Sequence, residues 1–130
     1  MKIFEGKVVL ITGHPGFKGS WLSIWLNSLG AKVVGLSDDV VTSPSNYSVS
    51  SISDFIQDYR VDIRDSEKVL SLVKANQPDF VFHLAAQALV RSSYENPIET
   101  MTTNAIGTAN ILDSLRSLNK KVVAVMITSD

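Results

Sequence analysis

Apolar residues along the chain form two alternating patterns. Short apolar runs at 8–12, 79–84 and 122–127 read as buried parallel strands, the first covered on both faces because neither of its faces has to meet water, and 33–36 and 59–63 read as a second strand and a third, shorter one. Between them the spacing turns helical. Phe17, Trp21, Leu22, Trp25, Leu26 and Leu29 recur at helical intervals, predicting a helix over 17–29 with both tryptophans in the core and Gly30 as a left-handed cap. Val69, Leu70, Leu72 and Val73 predict a second helix, with Asp65 or Ser66 placed to cap it. Asn96-Pro97 opens a third, long helix running to about residue 119, whose apolar face is Ile98, Met101, Ala105, Ala109, Leu112 and Leu115. Asn104 and Gly107 are poor helix formers inside it, so Asn104 is expected to bond backbone or cofactor, and Gly107 to permit close packing. Residues 40–55, rich in Ser, Asn, Thr and Pro and without either periodicity, read as a loop.

Strands and helices alternate throughout, which predicts an α/β fold: a doubly wound, Rossmann-type parallel sheet in three layers. A length of 130 residues suits one domain, 1–130, and 45% hydrophobic against 19% charged residues excludes a disordered chain. Lysines and arginines are scattered and the net charge is -1, so neither nucleic acid nor an anionic membrane surface is an expected partner. With no cysteine, disulfides, thiolate nucleophiles and Cys-ligated zinc are excluded, no metal site is read, and the cytoplasm is the expected compartment. No apolar run is long enough to span a bilayer.

The chemistry concentrates where the first strand meets the first helix. Gly13, Gly16 and Gly19 permit in turn a tight turn, approach of backbone to a pyrophosphate, and close helix–strand packing, while the helix N-terminus offers free amides. A dinucleotide is the ligand this suits. The acidic residue that holds adenosine ribose is sought about twenty positions on, where Ser37 stands with Asp38 beside it. Serine leaves room for a 2′-phosphate, and Lys18 either neutralises one or is simply solvated, so the residues leave NAD and NADP both open. Asp62 contacts adenine or caps the next helix. His83, alone in an apolar strand, reads as a hydrogen-bonded structural residue ahead of a catalytic base, and Ala85, Ala86 and Ala88 would let backbone approach a flat ligand.

Several blocks carry a family likeness: GHPGFKGSWL at 13–22, VDIRD at 61–65, HLAAQALVRSSYENPIET at 83–100, TNAIGTANIL at 103–112 and ITSD at 127–130. Together they resemble the extended short-chain dehydrogenase/reductase family of nucleotide-sugar enzymes, and within it the 4,6-dehydratase subgroup. The resemblance implies that Gly13, Gly16, Phe17, Lys18, Gly19, Ser37, Asp38, Asp62, Ile63, Leu84, Ala85, Ala86, Gln87, Thr103 and Asn104 bind NAD. Gln87 and Arg91 would reach the sugar-nucleotide substrate. Ser129 would bond the C4 oxygen of the hexose, and Asp130 would protonate the departing C6 hydroxyl. The implied reaction is oxidation at C4, loss of water across C5 and C6, and return of the hydride to C6. Pro15 stands where the subgroup usually has Thr, removing one backbone donor from the turn. Tyr47, Tyr59 and Tyr94 lack a lysine four residues on, so the family's Tyr-x-x-x-Lys pair, the last strands and the substrate domain are expected beyond residue 130, and this stretch alone is expected to be inactive. A homodimer, with the helix after Pro97 as its surface, is the expected assembly of the full-length enzyme.

Overall fold

The computed structural model describes residues 2–40 and 43–128. Its strands are β1 (Val8–Thr12), β2 (Lys32–Ser37), β3 (Gln57–Arg60), β4 (Phe80–His83) and β5 (Val123–Met126). All pair in parallel, in the order β3-β2-β1-β4-β5. The helices are α1 (Phe17–Ser28), α2 (Asn46–Val49), α3 (Ser66–Asn76), α4 (Val90–Glu95), α5 (Pro97–Met101) and α6 (Thr108–Leu115). A π-helical segment, Thr102–Gly107, joins α5 to α6, and 3-10 turns lie at Lys2–Phe4 and Ile52–Asp54. This is the expected Rossmann-type sheet, with β1 at its centre.

Alternate side chains of the central strands fill two cores. Leu10, Val34 and Val81 point to one face, where they meet Val69, Leu72 and Val73 of α3 and Ile111 of α6. Val9, Ile11 and Val33 point to the other, against Leu26 of α1 and the half-buried Phe80 and Phe82. Burial on both faces explains why β1 reads as an unbroken apolar run. At about 25 cal/mol per Å² of apolar surface, this burial is the main force holding the helices to the sheet. The start of β4 is tied back to β1, since Asp79 accepts from the Val8 amide at 2.9 Å and pairs with Lys120 at 2.9 Å.

Four expectations need correction. Trp21 and Trp25 are both 55% exposed, and the face that α1 buries is Gly19, Ser20, Ser23 and Leu26. Small residues let α1 lie close to the sheet, and the buried serines spend their hydroxyls on helix carbonyls, Ser20 on Phe17 at 3.0 Å and Ser23 on Gly19 at 2.8 Å. The long helix after Pro97 is interrupted by the π segment, which shifts the helical phase. Gly107, Ile111, Ser114 and Leu118 face the core with Leu115 of the expected face half-buried beside them, while Ile98, Met101 and Leu112 stay exposed. The fifth strand is not buried, because it is an edge strand with Val123 and Val125 exposed. Finally, the stretch read as a loop carries α2 and a 3-10 turn, with Tyr47 and Ile52 buried. Smaller offsets follow the same logic: the third strand begins two residues early, at Gln57, and Asp65 caps α3 by accepting from the Lys68 amide.

Candidate functional site

At the carboxyl ends of β1, β2 and β4 a cavity of about 450 Å³ opens, within the range of small-molecule sites. The glycine turn is its floor. Gly13 has φ +71°, which a residue with a side chain rarely adopts, and a Cβ there would stand 2.8 Å from the Ala85 nitrogen. A Cβ on Gly19 would meet the Gly13 carbonyl at 2.3 Å, so this glycine sets how closely α1 approaches the turn. Gly16 differs from both. Its φ is −65°, and an added Cβ would meet only the Gly13 oxygen, at 3.2 Å. It leaves bare floor in the cavity instead of relieving strain. As the N-cap of α1 it provides no side-chain cap, and no carboxylate occupies the first turn. The amides of that turn are thus left for an anion, which fits a pyrophosphate.

Ser37 and Asp39 at the end of β2 and Lys18 of α1 line one side. Leu84, Ala85, Ala86 and Ala88 form the opposite wall, and Ile127 and Thr128 close the β5 end. The expected Gly13, Gly16, Phe17, Lys18, Gly19, Ser37, Leu84, Ala85 and Ala86 are therefore brought together. Other expected residues stand outside this lining. Asp38 accepts from the Asp39 amide, and Asp39 is the acid on the cavity. Asp62 is gripped by Arg64, whose side chain donates to both its oxygens and holds its carboxyl below the usual range. Ile63 is buried against Gly107, where a Cβ would stand 2.5 Å from its Cδ1, giving the close packing expected at that glycine. Arg91 is exposed on α4 and pairs with Glu95. Thr103 lies in the π segment, half-buried. Ser129 and Asp130 lie outside the described residues.

Asn104 clamps the far end of the alanine wall. Its Oδ1 accepts from the Gln87 amide at 2.8 Å and its Nδ2 donates to the Gln87 carbonyl at 3.0 Å. The Gln87 side chain is itself engaged, donating to Leu89 and Thr100 and accepting from the Leu89 amide. At the near end, the Leu84 and Ala85 amides both donate to Thr12 Oγ1 at 3.1 Å. His83 links the two ends, with Nδ1 2.7 Å from Thr12 Oγ1 and Nε2 2.9 Å from Thr108 Oγ1. It is buried and hydrogen-bonded, as a structural histidine should be.

A second cluster escaped the sequence reading. His14, inside the glycine turn, is fully buried, and its Nε2 lies 2.9 Å from Asp58 Oδ1 without the alignment of a hydrogen bond. Asp58 also accepts from Tyr47 and from Arg60, the latter at 2.7 Å. Burial pushes the Asp58 carboxyl up, but the Tyr47 hydroxyl and the nearby His14 and Arg60 outweigh it and the net shift is downward. The available signal was Gly35, a glycine inside a strand. A Cβ there would overlap the His14 ring at 2.6 Å.

With the turn, cavity and walls in view, comparison with known proteins is decisive. A family model described as GDP-mannose 4,6 dehydratase matches residues 10–130. The chain belongs to that family. It is 46% identical to CDP-glucose 4,6-dehydratase of Salmonella typhimurium over 98% of this chain and 35% of that protein. Among solved structures, UDP-glucose 4-epimerase of Thermus thermophilus in complex with NAD aligns with TM-score 0.72 and 33% identity, over 84% of this chain and 33% of the other. Epimerase Mth375 of Methanothermobacter thermautotrophicus aligns with TM-score 0.78 and 30% identity, over 91% of this chain and 34% of the other. The chain thus spans about a third of the length of the curated relatives it matches. Among the described residues, no helix is long and apolar enough to cross a membrane.

Proposed function

We propose that this chain supplies the NAD-holding part of a CDP-glucose 4,6-dehydratase acting in the cytoplasm. The observation that carries the reading is the cavity floored by Gly13, Gly16 and Gly19, with an uncapped helix N-terminus at one end and a wall of alanines at the other. The dehydratase identity rests on the 46% match, while the share of that protein covered leaves base recognition to residues elsewhere. In this reading the first-turn amides of α1 hold the pyrophosphate, and Ala85, Ala86 and Ala88 accommodate a flat ring. Bound NAD supplies a hydride acceptor and donor. Lys18 offsets phosphate charge. Asp39, on the cavity, disfavours a 2′-phosphate by like-charge repulsion and so selects NAD over NADP. The sequence expectations for Ser129 toward the sugar C4 oxygen and Asp130 as the acid at C6 are part of the same proposal. Gln87 and Arg91 are proposed toward the substrate, Asp38, Asp62 and Ile63 on the adenosine side, and Thr103 and Asn104 behind the wall. The exposed Ile98, Met101, Ile106 and Leu112 suit a homodimer surface in the full-length enzyme.

A calorimetric titration tests the cofactor claim. Saturable binding of NAD is expected, with NADP weaker. Gly16→Val is expected to leave the fold intact, since its backbone is unstrained, and to abolish binding by placing a side chain on the pyrophosphate floor. Unchanged affinity in that variant overturns the reading.

A further inference from the structure

Every hydrogen in the chain of bonds behind the alanine wall can be assigned by counting lone pairs. Thr12 Oγ1 has two, and it receives the amides of Leu84, shared with the Thr12 carbonyl, and of Ala85. Its own proton is left for His83 Nδ1, which must therefore accept. A neutral ring then carries its hydrogen on Nε2 and donates it to Thr108 Oγ1, and Thr108 donates onward to the Asn104 carbonyl at 2.6 Å. Asn104 in turn holds both backbone groups of Gln87. Both ends of the wall at Leu84, Ala85 and Ala86 thus hang on one directional chain that passes through one imidazole.

We infer that His83, held as its neutral Nε2–H tautomer, is a positioning residue for the cofactor wall, so that affinity for the dinucleotide falls when this ring gains a proton. A second ring proton would face the Thr12 hydroxyl with no lone pair to receive it. The Leu84 and Ala85 amides would then compete with an N⁺–H for the same oxygen, and the wall would shift. Nothing nearby compensates the charge. β1 presents Thr12, β5 presents Met126 opposite in register, and the π segment and α6 present Asn104 and Thr108, so among the described residues no ionisable group faces the ring. Burial alone acts on it, pushing its pKa down.

The inference rests on the cofactor reading above, and the test separates the two. The chain has two histidines, so ¹⁵N spectra of the ring nitrogens of the tag-free chain resolve both, with His83→Asn giving the assignment. At about pH 7.5 His83 is expected to show an unprotonated Nδ1 and a protonated Nε2. On acidification the amide resonances of Leu84, Ala85 and Gln87 are expected to move together with its titration. NAD affinity should fall about tenfold or more over the same range, a change equivalent to one broken hydrogen bond in the chain. In His83→Asn, where the amide oxygen replaces Nδ1 as the acceptor from Thr12 but the bond from Nε2 to Thr108 is lost, binding at about pH 7.5 should fall by about tenfold, and the part of its pH dependence that follows the His83 titration should vanish. An Nδ1–H tautomer, still amides during the titration, or an unaltered pH profile in His83→Asn overturns the inference. If NAD fails to bind the folded chain at any pH, the cofactor reading falls, and the tautomer and the amides still decide this one.

Discussion

The two histidines of the chain flank the end of β1, and both are buried, at 0% exposure for His14 and 3% for His83. Burial leads the causes that lower both pKa values. Their surroundings are opposite. His83 sits between two threonine hydroxyls, in a chain whose donors and acceptors match one to one. His14 faces Asp58, Tyr47 and Arg60, where Asp58 raises its pKa and Arg60 lowers it. The tautomer of His83 is written into hydrogen-bond geometry, whereas at His14 burial works against the upward pull of Asp58. The cavity wall hangs on the first arrangement and the glycine turn leans on the second.

Three changes would break or sharpen that contrast. The largest effect is expected from Thr12→Val, which keeps the shape and removes the hydroxyl. It leaves an amide and an imidazole nitrogen without partners, at about 1–3 kcal/mol each. Urea denaturation should show about 3 kcal/mol lost, and a loss below about 1 kcal/mol would mean the His83 chain is not structural. Next comes Gly35→Ala, whose Cβ would press on the His14 ring at 2.6 Å. Overpacking of this kind costs about 2 kcal/mol, and removing the ring as well, in Gly35→Ala with His14→Ala, should cancel the clash, measurable as a non-additive double-mutant cycle.

The smallest effect, and the sharpest, is Asp58→Asn. Without the carboxylate, His14 loses its main upward influence, so its titration midpoint should fall while that of His83 stays unchanged, read from the ring nitrogens of both. The signs for wild-type stability follow from these shifts. Both histidines have folded pKa values below the ordinary 6.5, so their contribution is present above that pH and is lost as pH falls through the lowered values. Asp58 adds a second window: its contribution is present above 3.8 and lost as pH falls through its own depressed pKa. Asp58→Asn removes the second decline and shifts His14's part of the first. A variant that keeps the wild-type acid profile below 3.8 would show the carboxylate is not paired.

Much of the architecture was legible because it depends on local rules. A strand buried on both faces must be apolar at every position, so β1 and β4 announced themselves at 8–12 and 79–84. Gly13 and Gly30 announced turns through the positive φ that both adopt. Asn104 and Gly107 were visible as misfits in a helix, and each has its reason: a clamp on Gln87 and contact with Ile63. The helical faces were less legible. Periodicity shows that Trp21 and Trp25 share a side of α1 but not which side meets the sheet, and close packing favoured glycine and serine there. After Pro97 the buried face is Gly107, Ile111, Ser114 and Leu118, with Leu115 of the expected stripe packed beside it and Ile98, Met101 and Leu112 on the surface.

The chain's own order of residues thus determined the alternation of strands and helices, the glycine turn at the head of the first helix and the family they belong to, since each is carried by contiguous residues. The tertiary structure alone decided that Asp39 instead of Asp38 reaches the cavity, that Thr12, His83, Thr108 and Asn104 form one chain, and that His14 meets Asp58. Those pairings join residues far apart in the sequence, and a hydrogen bond or ion pair depends on ångström-scale positions that only the packed sheet and its helices supply.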